Sequence, residues 1–178
     1  MATELEDVGT ATSARDTGLL VLRLGVGAAI LQAGLLKLSD FNATVTFMED
    51  GGWRAPQLAA IMVCAAETAG GIGLLLGLLT PLAAMAVIAA MIDAWAVNVS
   101  VGAFWSAPFN EPFLLAIGAT ALLFIGAGSY SLDYKLWGRA NWPRLVAVTL
   151  LVVAIVAAVV TWVALNGTNP IHFTAPGA

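Results

Sequence analysis

ETAGGIGLLLGLLTP, residues 67–81, is apolar, rich in glycine and carries a single carboxylate. It sits inside a longer run, because Glu67 is the one charged residue between Arg54 and Asp93. About 20 predominantly apolar residues of helix cross the hydrocarbon core of a bilayer. A run this long and this apolar therefore reads as membrane-spanning. Glu67 then lies well within the membrane, where an ionisable group is costly and marks a pairing or a function.

Working outward, residues 17–38, 56–78, 81–101, 111–128 and 144–165 form five apolar runs of membrane-crossing length. Pro56, Pro81, Pro112 and Pro143 stand at or near the starts of the last four. A helix tolerates proline there because the first N–H groups have no intrahelical partner. Hydrophobic residues make up 60% of the chain and charged residues 10%. A soluble domain carries about 25% charged residues, so the composition points to an all-α membrane protein.

Residue types also limit the chemistry. Cys64 is the single cysteine and His172 the single histidine. An internal disulfide, a CxxC thiol centre and a bis-histidine haem are therefore excluded. No haem, metal or flavin motif is expected to be filled by this chain, so a redox role falls to an organic, diffusible cofactor. With no basic patch, nucleic acid is not an expected partner. Residues 1–16 lack a basic start followed by a short apolar core and read as a retained polar tail.

Basic residues set the expected orientation. Arg15 precedes the first run, and Lys135, Arg139 and Arg144 cluster between the fourth and fifth. The positive-inside rule makes both regions cytoplasmic. The expected plan is a cytoplasmic tail (1–16), a four-helix transmembrane bundle (17–133), a cytoplasmic loop (134–143), a fifth transmembrane helix (144–165) and an external tail (166–178). Trp53, Phe104, Trp105 and Phe109 would form an outer aromatic belt, and Tyr130, Tyr134, Trp137 and Trp142 an inner one. After Asp40, a candidate N-cap, Phe41, Val45 and Met48 recur at helical spacing and Gly51-Gly52 offers a stop. That pattern predicts a short outer helix, either a linker or a cover over a cavity.

The charges inside the runs share faces with small residues. At about 100° per residue, Arg23, Gly27, Ile30, Gly34 and Lys37 form one stripe. Glu67 shares a face with Cys64, Gly70, Gly71 and Leu74, and Gly73-x-x-x-Gly77 adds a close-packing pattern. Asp93 lines up with Ala86, Ala90 and Val97, and Glu111 with Leu115, Gly118 and Leu122. All four charges are expected to face the bundle interior, with Arg23 paired to Glu67 and Lys37 to Asp93 or Glu111. Two readings stay open at this point. The pairs fix helix register, or they form a polar site. Cys64 reads as a small buried hydrophobe.

The motifs Arg23-Leu24-Gly25, Gly34-Leu35-Leu36-Lys37-Leu38, Glu67 with Gly70-Gly71, LLLGLLTP (residues 74–81) and GAGSYSLD (residues 126–133) occur in that order. In this the chain resembles the DoxX family of small membrane proteins over residues 22–133. The resemblance implies a four-helix bundle, to which residues 144–165 add a helix that would dock a partner. The family takes its name from a subunit of an archaeal thiosulfate:quinone oxidoreductase, and some bacterial relatives are linked to assemblies that handle thiol and oxidative stress. It therefore implies a plasma-membrane subunit of a quinone-linked or thiol/oxidative-stress oxidoreductase. Arg23, Lys37 and Glu67 match the family's polar positions, and Asp93 and Glu111 are added from their depth in the helices: Glu67 and Asp93 would handle protons, and Arg23, Lys37, Glu67 and Glu111 would bind a quinone. The chain would not be a redox enzyme alone. Alternatives are a non-catalytic anchor within a larger complex, a homo-oligomer, and a small-molecule or proton transporter.

Overall fold

The computed structural model describes residues 2–174, with side chains from residue 14 onward. Residues 175–178 of the expected external tail lie outside this range. Among the described residues the fold is helical, with no strand. The main elements are α1 (Ala2–Ser39), α2 (Phe41–Asp50), α3 (Pro56–Leu76), α4 (Thr80–Ser100), α5 (Glu111–Ile125), α6 (Leu132–Trp137) and α7 (Arg144–Thr161). A π turn, Trp162–Asn166, extends α7. Four segments are long and apolar enough to cross a membrane: Ala14–Ser39, Pro56–Leu76, Thr80–Ser100 and Arg144–Asn166. The chain is a multi-pass membrane protein.

α1 packs along α3, α3 along α4, and α4 along both α5 and α7, while α5 returns to α1. Ile30, Leu74, Val87, Ile88 and Leu122 fill the centre. The tightest seam joins α1 to α3. A Cβ added at Gly71 would stand 2.6 Å from the Leu31 amide nitrogen, and one at Gly34 would stand 2.8 Å from that of Thr68. Only glycine lets these two backbones meet so closely. Gly73 and Gly77 serve other ends. Gly73 packs against Ala83 of α4, while Gly77 lies beyond the end of α3 with φ +62 and returns its N–H to the Gly73 and Leu74 carbonyls. The expected Gly73/Gly77 helix contact is thus replaced by a left-handed C-cap.

The short helix expected after Asp40 is α2. The Asp40 carboxylate accepts from the Ala43 N–H at 3.0 Å, capping it as expected, and Gly51 follows its end. Inward-facing Thr44 and Met48 are buried. Trp53 departs from its expected belt position. It is 8% exposed and packs edge-to-face against Trp162 at 5.7 Å. Trp142 turns its indole N–H to Asp133 at 3.3 Å. Trp105, Phe109, Tyr130, Tyr134 and Trp137 remain exposed, as belt residues are.

Two runs differ in extent or role. The run expected over 111–128 is helical only to Ile125, because Gly126 leaves helical geometry at φ +89. α5 therefore has 15 residues, about 22 Å of rise, against about 30 Å of hydrocarbon. The fifth run does more than wait for a partner. Ala147, Ala154 and Ala158 bury one side of α7, which packs along α4, while Val148, Val152, Val156 and Val159 stay exposed. The Arg54 N–H donates to the Leu165 carbonyl at 2.6 Å and the Asn166 amide donates to the Gly51 carbonyl at 3.0 Å. These bonds fasten the end of α7 to the linker after α2.

Candidate functional site

Lys37 in the last turn of α1 and Glu67 in the middle of α3 form an ion pair at 2.7 Å. The Glu67 side chain is 2% exposed and that of Lys37 is 31% exposed. This corrects both expected pairings. The reason lies in register. The Gly34 seam sets α1 level with Thr68 and the carbonyl carbon of Glu67, so the residue one turn beyond Gly34 reaches the carboxylate. Arg23 stands 14 residues before Lys37, about 21 Å away along the helix axis.

A cavity of about 420 Å³ opens onto this pair. Its walls come from α1, α2, α3, α4, α5 and α7. Alanines dominate the lining, among them Ala33, Ala66, Ala90 and Ala158, and their short side chains leave the space that larger residues would fill. Phe47, Met48 and Trp53 contribute from α2 and the linker that follows it, so this short helix borders the cavity. The charged side chains on the lining are Lys37, Glu67, Asp93 and Glu111. Four of the five residues expected at a polar site therefore border one space.

These four differ in what they can do. Glu67 is held by Lys37. The Lys37 ammonium has three N–H donors, of which one goes to Glu67. Half-buried Asp93 has no hydrogen bond or ion pair among the described residues. Glu111 is exposed at the first turn of α5, where a carboxylate suits the helix dipole. The arrangement offers an apolar volume with a cationic donor and free carboxylate acceptors at its edge. Among the described residues, no three metal-ligating side chains come together. Cys64, one turn before Glu67, is buried.

Arg23 belongs to a second polar cluster at the opposite end of the bundle. Its guanidinium donates to the Ala127 carbonyl at 2.8 Å and to the Tyr130 carbonyl at 2.7 Å. Beside it, Asp133 is fully buried and accepts from the Leu79 N–H at 2.7 Å and the Thr80 N–H at 3.0 Å. Among the described residues, Leu79 is the non-glycine residue with positive φ, at +48. Such a backbone costs about 1–2 kcal/mol for an L-residue, and the Asp133 bonds offset that cost. Ser131 caps α6 by accepting from the Tyr134 N–H, and its hydroxyl donates to the Gly128 carbonyl at 2.6 Å. Asp133 was not singled out from the sequence. The available signal was a carboxylate two residues after a candidate N-cap serine in an otherwise glycine-rich segment.

The DoxX family model matches residues 18–100. The match takes in most of α1 and all of α2, α3 and α4, including Lys37, Glu67 and Asp93, and ends before Glu111, α5 and the 126–133 segment. No curated protein and no solved structure matches the chain.

Proposed function

We propose, for a membrane protein whose residues 18–100 match the DoxX family model, a membrane subunit that binds a quinone in the alanine-lined cavity, on behalf of a quinone-linked or thiol/oxidative-stress oxidoreductase complex. The observation that carries this reading is the 420 Å³ cavity with the Lys37–Glu67 pair on its wall. Small-molecule sites are largely apolar, with volumes of about 300–1,000 Å³ and a few converging polar groups. The residues fit a quinone on those terms. The walls suit an aromatic ring and an isoprenoid stem, and Lys37 retains free N–H donors for a carbonyl oxygen.

A bound quinone would supply two-electron carrier chemistry. The chain's own residues do the rest. Lys37 binds and orients the head through its N–H groups. Glu67 positions the ammonium within the bundle. Asp93, without a competing partner, is the group free to hold or release a proton. Arg23 supports the reading only indirectly, by tying α1 to the segment after α5. In the same reading, Arg15, Lys135 and Arg139 face the cytoplasm, the end of α7 lies outside, and a peripheral oxidoreductase supplies electrons.

The test is purification in mild detergent from the source membrane, with extraction and chromatography of bound lipids. The expected result is quinone in stoichiometric amount with a co-purifying oxidoreductase, and loss of the quinone from Lys37→Met. Quinone at no more than its background abundance in the membrane overturns the reading.

A further inference from the structure

The charged groups lining the cavity are unequally divided between donors and acceptors, with the neutral side chains of Trp53, Asn98 and Thr161 beside them. Three carboxylates, Glu67, Asp93 and Glu111, face the space against one ammonium, Lys37. Lys37 gives one N–H to Glu67, while Asp93 gives and receives nothing among the described residues. An ionised carboxylate only accepts hydrogen bonds, whereas the acid also donates one through its O–H. A buried or half-buried acceptor left without a donor is a cost that a bound ligand can remove.

Two redox forms of one head group meet this lining differently. The oxidised form presents two carbonyl oxygens, which are acceptors. Lys37 satisfies one of them, but a carbonyl turned toward the ionised Asp93 carboxylate sets acceptor against acceptor. The reduced form presents two hydroxyls, each a donor and an acceptor. It takes a hydrogen bond from Lys37 and gives one to Asp93, so both polar groups are satisfied at once. Resting on the quinone reading above, we propose that this cavity is selective for the reduced, dihydroxy form, with Asp93 the residue that sets the preference. The occupant of the site is thus a quinol. The reaction on the membrane side is either its release as product or its capture as substrate.

The test is equilibrium dialysis of the full chain in nanodiscs against duroquinol or duroquinone, under anaerobic conditions. Empty nanodiscs correct for partition into lipid. Duroquinol is expected to bind about tenfold more tightly than duroquinone, the scale of one hydrogen bond to a charged group. Asp93→Asn, which adds an amide donor at the same position, is expected to bring the two affinities together. Equal or tighter binding of duroquinone by the unaltered protein overturns the preference and leaves the quinone reading standing. An unchanged preference in Asp93→Asn overturns the assignment to that residue. Retention of neither compound overturns the quinone reading, and this inference with it.

Discussion

The Lys37 ammonium meets the Glu67 carboxylate at 2.7 Å, the anion sealed inside the bundle and the cation partly open to the cavity. Breaking a buried pair by removing one partner costs about 3–5 kcal/mol, because the remaining charge is stranded. Lys37 keeps some contact with the cavity, so Lys37→Met is expected to cost about 3 kcal/mol, the lower end of that range. The double variant Lys37→Met/Glu67→Gln strands no charge and is expected to recover more than half of the loss. Thermal unfolding of the purified variants in one detergent checks this. A double variant no more stable than the single one would show that the pair is not what Glu67 depends on.

Gly71 and Gly25 give opposite expectations for the same substitution. A methyl at Gly71 runs into the Leu31 backbone, whereas nothing lies within 4 Å of one at Gly25. Gly71→Ala is expected to push α1 from α3 and destabilise by about 1–3 kcal/mol. Gly25→Ala is expected to be neutral, or to stabilise the helix by about 0.5–1 kcal/mol. Melting temperatures measured side by side decide it. Equal effects at the two positions would contradict the backbone contact.

Asp133 holds the turn between α3 and α4 from a residue more than fifty positions later in the chain. Asp133→Ala removes acceptors from two backbone N–H groups and an indole N–H, and is expected to cost about 3 kcal/mol. The more specific readout is hydrogen exchange, which should quicken at the Leu79 and Thr80 amides before it does in the middle of α3. Unchanged protection there would mean that the turn holds its shape unaided.

Truncation after Pro143 is expected to open the bundle. It removes Ala147, Ala154 and Ala158 from the side of α4 and takes Ala157, Ala158 and Thr161 from the cavity wall. It also removes the bonds from Arg54 and Gly51 to the end of α7. Size-exclusion chromatography in detergent should show aggregation or a marked loss of stability. A monodisperse truncated protein of normal stability would return α7 to the role of an accessory helix.

Helix starts were legible in the sequence because proline and capping residues act locally. Asp40, Pro56, Pro81, Pro112 and Pro143 all lie at helix starts in the structure. The end of α5 was less legible, since Gly126 is as apolar as the residues before it and only its backbone angle ends the helix. The faces of Lys37, Glu67, Asp93 and Glu111 followed from helical periodicity, which is why all four border the cavity. Who pairs with whom did not follow. Pairing depends on how far α1 slides along α3, and the glycine contact that sets this joins residues more than thirty apart in the chain. The alanine stripe of α7 was present in the sequence, but among valines of similar hydropathy it did not announce a packed side.

The shortness of α5 has a consequence for the lipid around it. Leu114, Ile117 and Phe124 face outward from a helix about 8 Å too short for an unperturbed hydrocarbon core. Hydrophobic mismatch of this kind is relieved by tilting or by local thinning of the bilayer. Where the bilayer thins on the Glu111 side, headgroups and water descend to the first turn of α5. Glu111 then sits at a hydrated rim, while Glu67 stays in the dry floor of the same cavity. In the quinone reading proposed above, an amphiphile entering beside this short helix would pass from the exposed Glu111 to the buried Glu67 along one cavity wall.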